Sequence, residues 1–113
     1  MTRVTFYRTA QNGPLSAVDL AGHAGYAEEG EDIVCAAVSS SVQLIHALLY
    51  DVQRIPVDTL IEDEGAHIRL TLPKDRIPDG QDALRAFLLH LSELAQDYPE
   101  FIQVTEVYND AAD

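Results

Sequence analysis

The fold is decided by the segment at residues 32–52, which reads DIVCAAVSSSVQLIHALLYDV. Its apolar residues recur every three or four positions, which is the spacing of one helix face. Asp32 precedes the run as a favourable helix N-cap, and this places Cys35 at the third helical position. Pro56 follows, so we expect the helix to end near residues 50–52. The segment predicts a helix whose buried stripe is Val34, Val38, Val42, Ile45 and Leu49.

The segments on either side of this helix complete one domain over residues 1–113. β-rich runs predict strands at residues 4–8, 15–21, 57–61, 66–72 and 101–108, and helical periodicity predicts a second helix at 82–98. We expect residues 73–80 to be a linker and residues 109–113 a frayed tail. The ββαββαβ order with short hairpin connections predicts an α+β fold. It is a mostly antiparallel sheet with both helices packed on one face.

The composition is acidic, with 19 Asp and Glu against 7 Lys and Arg and a formal charge of −12. Binding to nucleic acid needs clustered basic side chains that replace counterions. We therefore expect no direct contact with DNA or RNA. Two interpretations of the charge stay open. It keeps a small domain soluble, or it attracts a basic partner.

Cysteine content and hydropathy limit the compartment. Cys35 is the one cysteine, which rules out an internal disulfide and disfavours a disulfide-stapled secreted fold. The first residues, MTRVTFYRT, lack the apolar run of a signal peptide, and we expect no segment long and apolar enough to span a membrane. The cytoplasm is the predicted location.

Cys35 is the side chain best suited to nucleophilic chemistry. The start of a helix stabilises a thiolate through its N–H groups and dipole. His23 lies upstream across a glycine-rich loop and can accept the thiol proton, since an imidazole titrates near neutrality. The acidic residues of the same loop oppose this, because nearby negative charge disfavours a thiolate. The alternative interpretation is a buried cysteine that acts as a small apolar side chain.

The segment at residues 22–39, GHAGYAEEGEDIVCAAVS, resembles the signature of the Prp family of bacterial ribosomal-processing cysteine proteases. The family pattern is Gly-His-Ala, a glycine-containing loop, Asp-Ile-Val-Cys-Ala and a serine four residues after the cysteine. The chain carries these elements in order, as Gly22-His23-Ala24, Gly30, residues 32–36 and Ser39. The ββαββαβ order also agrees with the family's layout.

The resemblance implies a specific activity. Such enzymes remove an apolar, Phe-containing N-terminal extension from a large-subunit ribosomal protein. It implies Cys35 as nucleophile and His23 as general base, supported by Asp32, Ser39 and Gly22, with a homodimeric assembly. It also implies a substrate loop that contains Ala24, Gly25, Tyr26 and Gly30. We expect this loop to move when a peptide enters, and an oxyanion hole to use helix N–H groups, including that of Cys35.

The other histidines are interpreted as structural. His46 lies ~16 Å from Cys35 along the helix axis, too far to serve as its base. His67 is expected on the solvent-facing side of a strand and His90 on the surface of the second helix. Dispersed histidines and one cysteine do not match a zinc-site spacing, so we expect neither a metal nor another cofactor.

Two other function classes remain open at this stage. One is a non-catalytic assembly factor that binds a ribosomal protein and would tolerate Cys35→Ser. The other is a thiol redox sensor that uses Cys35 and does not need His23.

Overall fold

The computed structural model describes residues 1–23, 25, 27–28 and 32–108. The strands and helices follow the predicted ββαββαβ order, and the predicted boundaries of the five strands and of the second helix lie within two residues of the observed ones. The predicted tail at residues 109–113 lies outside the described residues. The elements are β1 Thr2–Arg8, β2 Leu15–Ala21, α1 Ile33–His46, β3 Asp58–Glu62, β4 His67–Thr71, α2 Gln81–Asp97 and β5 Ile102–Tyr108.

Two of the connecting segments are helical. A π-helical segment, Ala47–Val52, continues α1 directly, so that the combined helix ends at the predicted position before Pro56. The predicted linker at residues 73–80 forms two short 3₁₀ turns, Lys74–Arg76 and Pro78–Gly80.

The five strands form one sheet in the order β3-β4-β2-β1-β5. The β1–β2, β2–β4 and β3–β4 pairs are antiparallel, as the short hairpins require. The β5 strand pairs parallel with β1, with Thr2 opposite Ile102 and Arg8 opposite Tyr108. A parallel pair needs a long connection, and here most of the chain separates the two strands. The sheet is therefore mostly antiparallel, as predicted.

Both helices pack on the same face of this sheet. The predicted α1 stripe is buried as a set, and the strands contribute alternate residues to the same core. Phe6 of β1 meets Phe87 of α2 edge-to-face, with ring centroids 5.8 Å apart, and both rings are buried. The core residues that α1 and its π-helical continuation supply are Val34, Val38, Val42, Ile45 and Leu49.

The sequence-based expectation about membrane-spanning length is wrong. The continuous helix from Ile33 to Val52 has 20 residues and a mean hydropathy of 1.7, which is long and apolar enough to cross a membrane by length and composition alone. This is weak evidence for a span, because core helices pass the same test. One side of this helix packs against the sheet, but only 28% of the apolar window is buried, so burial explains part of its apolar composition.

Candidate active site

Cys35 lies at the third position of α1 and is half-buried. The carboxylate of Asp32 caps this helix, accepting hydrogen bonds from the backbone N–H groups of Val34 at 3.0 Å and Cys35 at 2.9 Å. The N–H of Ala36 donates to the Asp32 carbonyl at 3.0 Å. The predicted N-cap is thus confirmed, and Asp32 holds the backbone that carries the thiol.

The same contact corrects the expected oxyanion hole. The Cys35 N–H points at the Asp32 carboxylate at 2.9 Å, so it is not available to a developing oxyanion in this arrangement. A carboxylate also repels an oxyanion placed at the same donor. Stabilising the tetrahedral intermediate through this N–H would require Asp32 to turn away first.

His23 follows the end of β2, where Gly22 fixes the path of the chain. Gly22 has φ +88°, and a Cβ at this position would lie 2.6 Å from the Met1 carbonyl oxygen. Its N–H donates to the Gly65 carbonyl at 2.9 Å, and its own carbonyl accepts from the Thr2 hydroxyl at 3.4 Å. These contacts tie the residue before His23 to β1 and to the β3–β4 turn, while the imidazole itself is exposed.

Two adjoining cavities, about 430 and 320 Å³, are lined by both Cys35 and His23. Ser39, one turn along α1 from Cys35, also lines both. Gly22 borders the larger cavity, and Asp32 borders the smaller. The structure therefore brings the predicted nucleophile, base and supporting residues to one place.

The predicted substrate loop lies partly outside the described residues. Ala24, Tyr26 and Gly30 belong to the undescribed part, so the expectations for them stay predictions. Gly25 is described. It is exposed, has φ +78° and lines the smaller cavity with Cys35 and His23.

The far wall of the larger cavity comes from β3 and β4, and sequence reasoning did not identify it. Ile61 and Ile68 line it opposite Ser39 of α1. Ile61 belongs to an edge strand whose five residues are all exposed. The only sequence signal was an isoleucine just before the acidic turn. The pairing of β3 with β4 places this residue in the cavity that Cys35 also lines.

His67 also borders the larger cavity, in an unexpected arrangement. Its Nε2 lies 2.7 Å from Asp19 Oδ2 and its Nδ1 lies 2.9 Å from Glu62 Oε1. These hydrogen bonds, to Asp19 first and then to Glu62, raise the pKa of His67 above its ordinary value of 6.5. An imidazolium donates from both nitrogens, which satisfies both carboxylates. His67 therefore joins β2, β3 and β4 at the rim of the site.

The remaining histidines lie away from Cys35. His46 is the last residue of α1, at the opposite end of the helix from Cys35, and it stacks on Tyr50 with ring centroids 5.3 Å apart. His90 is exposed on α2, beside a groove between the two helices. Among the described residues, no group of three or more His, Cys, Asp or Glu side chains could hold a metal ion.

Comparison with known proteins supports the resemblance found in residues 22–39. The profile of the family described as Cysteine protease Prp matches residues 1–103. The chain is 27% identical over 110 residues to the ribosomal processing cysteine protease Prp of Bacillus subtilis, covering 93% of this chain and 96% of that protein. It is 32% identical over 91 residues to the protein of the same name from Mycoplasma pneumoniae, covering 79% and 85%.

Solved structures share the fold. A crystal structure of the processing protease Prp from S. aureus, in complex with a covalently linked product peptide, superposes with a TM-score of 0.86 at 24% identity, covering 95% of this chain and 100% of that one. A structure from Streptococcus mutans gives a TM-score of 0.82 at 32% identity, covering 96% of each chain. The signature around Cys35, the sheet that carries it and the match over residues 1–103 agree: the chain belongs to the Prp family of cysteine proteases.

Proposed function

We propose that this protease removes an N-terminal extension from a large-subunit ribosomal protein, with Cys35 as nucleophile and His23 as general base. The observation that carries the assignment is that both side chains line the same two cavities, with the thiol at the start of a helix. The substrate assignment is supported by the relatives, which are named ribosomal processing cysteine proteases.

The proposed reaction follows the acyl-enzyme route. His23 takes the proton of the Cys35 thiol, and the thiolate attacks the scissile carbonyl carbon. The tetrahedral intermediate collapses as the amine leaves with the proton from His23. His23 then takes a proton from a water molecule, which attacks the thioester carbonyl. The C–S bond breaks to release the acid product, and the Cys35 sulfur recovers the proton from His23.

The acidic surface suits this substrate class. Ribosomal proteins are generally basic, and a charge of −12 attracts a basic protein while repelling ribosomal RNA. Cleavage at low substrate concentration is expected to slow as salt is raised, because screening weakens long-range attraction. A rate that does not change with salt would contradict this part of the proposal. Cytoplasmic location is part of the same proposal, because the substrate is met during ribosome assembly.

The deciding experiment incubates the extended ribosomal protein with wild type, Cys35→Ser and His23→Ala, and follows the N-terminus by mass spectrometry. Wild type is expected to remove the extension, and both variants to leave it intact. His90→Ala is the matched control, because His90 is an exposed histidine on α2 outside both cavities. It should cleave like wild type.

The outcomes separate the other function classes. An intact extension with wild type, combined with tight binding that Cys35→Ser preserves, identifies a non-catalytic assembly factor. Cleavage that survives His23→Ala removes His23 from the role of base. Rapid oxidation of Cys35 without peptide hydrolysis identifies a redox sensor.

A homodimer is also proposed, in line with the family resemblance. Its support is an exposed apolar surface on the two helices, where Leu44 is 70% and Leu89 65% exposed. Sedimentation equilibrium over a range of concentrations is expected to give twice the chain mass of 12.4 kDa. Leu44→Glu should shift the equilibrium towards the monomer if this surface is the interface, and a monomer at every concentration would overturn the proposal.

A further inference from the structure

A groove runs from Cys35 along α1, between this helix and the β3–β4 hairpin. A third cavity of about 440 Å³ lies beyond the one at Cys35 and reaches Ala47 and Asp51. The two cavities adjoin, because both are lined by Ser39, Val42, Ile61 and Ile68. The groove therefore begins at the proposed nucleophile and ends beside the π-helical segment.

We infer that this groove binds the substrate chain in an extended conformation, and that Asp51 recognises a basic side chain six or seven residues from the scissile bond. The inference rests on the proposed protease function and adds a specificity determinant to it. The part of the groove between Cys35 and Asp51 would bind apolar side chains. The substrate segment that we infer for this groove is therefore apolar and carries one basic residue.

The length of the groove sets the spacing. With a rise of 1.5 Å per residue, Val42 lies ~10 Å and Ala47 ~18 Å from Cys35 along the helix, and Asp51 lies about one turn further. An extended chain advances ~3.3 Å per residue. Val42 therefore lies beside a side chain about three residues from the scissile bond, and Asp51 beside one six or seven residues away.

The walls of the groove favour an extended apolar peptide. The side chain of Ile61 is 67% exposed, which is unusual for an isoleucine. It lines the groove together with Ile68 and Val42. It belongs to β3, an edge strand that pairs with β4 on one side only. An edge strand presents free backbone N–H and C=O groups, which can pair with an incoming extended chain. A substrate bound there would cover Ile61.

The charges of the groove favour a basic side chain. Among the described residues, no Lys or Arg lines this groove, whereas Asp51, Glu62 and Asp63 do. Glu62 is matched by the His67 ring at 2.9 Å. Within residues 32–108, Asp51 makes no ion pair and is exposed at the far end, so its charge is available to a ligand.

The test measures kcat/KM for a set of peptides that share one cleavable apolar sequence and carry a single lysine at successive positions three to eight from the scissile bond. Wild type is expected to prefer lysine at six or seven by about 2- to 5-fold, the range of one exposed ion pair. Asp51→Asn should abolish the preference for lysine, and the change should be in KM. Asp51→Lys should instead prefer peptides that carry glutamate at that position. Asp97→Asn, an exposed acid at the end of α2, is the matched control and should keep it.

A second pair of variants tests the apolar wall of the groove. Ile61 and Leu60 are neighbours on β3, and their side chains point to opposite faces of the sheet. Ile61→Ser should raise KM several-fold, whereas Leu60→Ser should not. Equal effects of the two changes, or a lysine preference that is absent or unchanged in Asp51→Asn, would overturn the inference.

Failure of the inference is distinguishable from failure of the protease assignment. Binding of the same peptides to Cys35→Ser, followed by fluorescence anisotropy, requires no cleavage. A lysine preference in binding that depends on Asp51 supports the groove even if wild type does not hydrolyse the peptides. Cleavage without that preference keeps the protease and removes Asp51 from recognition.

Discussion

The carboxylate of Asp32 accepts a hydrogen bond from the backbone N–H of Cys35 at 2.9 Å. One side chain thus caps α1, holds the proposed nucleophile in position and occupies a donor that an oxyanion would otherwise use. The Asp32 carboxylate is therefore directed at the N–H groups of the first helical turn, those of Val34 and Cys35.

Replacing Asp32 tests this capping role. Asp32→Ala is expected to lower the free energy of unfolding by ~1 kcal/mol, the usual loss for an N-cap, and to reduce kcat/KM because the backbone at Cys35 loses its anchor. Asp32→Ser is the matched control, since serine caps a helix without a charge. It should restore both urea stability and turnover. Restored stability without restored turnover would show that the charge itself is required.

Gly22→Ala is expected to destabilise the fold and to disturb His23. At φ +88° an L side chain is strained, and its Cβ would meet the Met1 carbonyl oxygen at 2.6 Å. Gly65→Ala is the control, because Gly65 has φ +78° but nothing within 4 Å of an added Cβ. Gly65→Ala should lose ~1–2 kcal/mol from backbone strain alone. Gly22→Ala should lose more by urea denaturation, and equal losses would contradict the contact with Met1.

The hydrogen-bonded His67 predicts a pH-dependent contribution to stability. Its pKa is raised in the folded state by Asp19 and Glu62, so the folded protein binds the proton more tightly than the unfolded chain. The stabilisation is complete below the ordinary pKa of 6.5 and is lost as the pH rises through the higher folded value.

The measurement is the urea midpoint from about pH 5.5 to 8.5, for wild type and His67→Gln. The wild-type advantage over His67→Gln should shrink as the pH rises. His90→Gln, on α2, should follow the wild-type profile. An advantage that grows with pH would show that the ring is neutral in the folded protein.

Phe87 is the strongest test of the core. It is 1% exposed and meets Phe6 edge-to-face, so Phe87→Ala removes a buried ring and leaves a cavity between α2 and the sheet. The expected loss is ~3–5 kcal/mol, large for a domain of this size. Phe87→Leu should lose less, because it refills part of the volume. A small loss for Phe87→Ala, measured by thermal or urea unfolding, would mean that α2 repacks.

Local patterns in the sequence predicted most of the fold. The stripe from Val34 to Leu49 predicted which side of α1 is buried, because helical spacing repeats within a few residues. Asp32 predicted the first helical residue for the same reason. The parallel pairing of β5 with β1 was not predictable in this way, since the paired residues Thr2 and Ile102 lie at opposite ends of the described chain.

The residues of the candidate site also differ in whether a local sequence pattern predicts them. Cys35 and His23 could be predicted as site residues because they lie in one segment that resembles a known signature. The groove wall at Ile61, and the pairing of His67 with Asp19 across 48 positions, depend on which strands become neighbours in the sheet. Strand order is set by the whole core, so no local pattern reveals these contacts.

The parallel register of β1 and β5 has a practical consequence for handling this enzyme. Met1 lies against Gly22, and Thr2 lines the cavity that contains Cys35, so a tag joined before Met1 would emerge beside the catalytic groove and compete with substrate. Because β5 runs in the same direction as β1, its last residue, Tyr108, lies at the other end of the sheet, ~20 Å away. An affinity handle or a surface-immobilisation linker therefore belongs at the C-terminus.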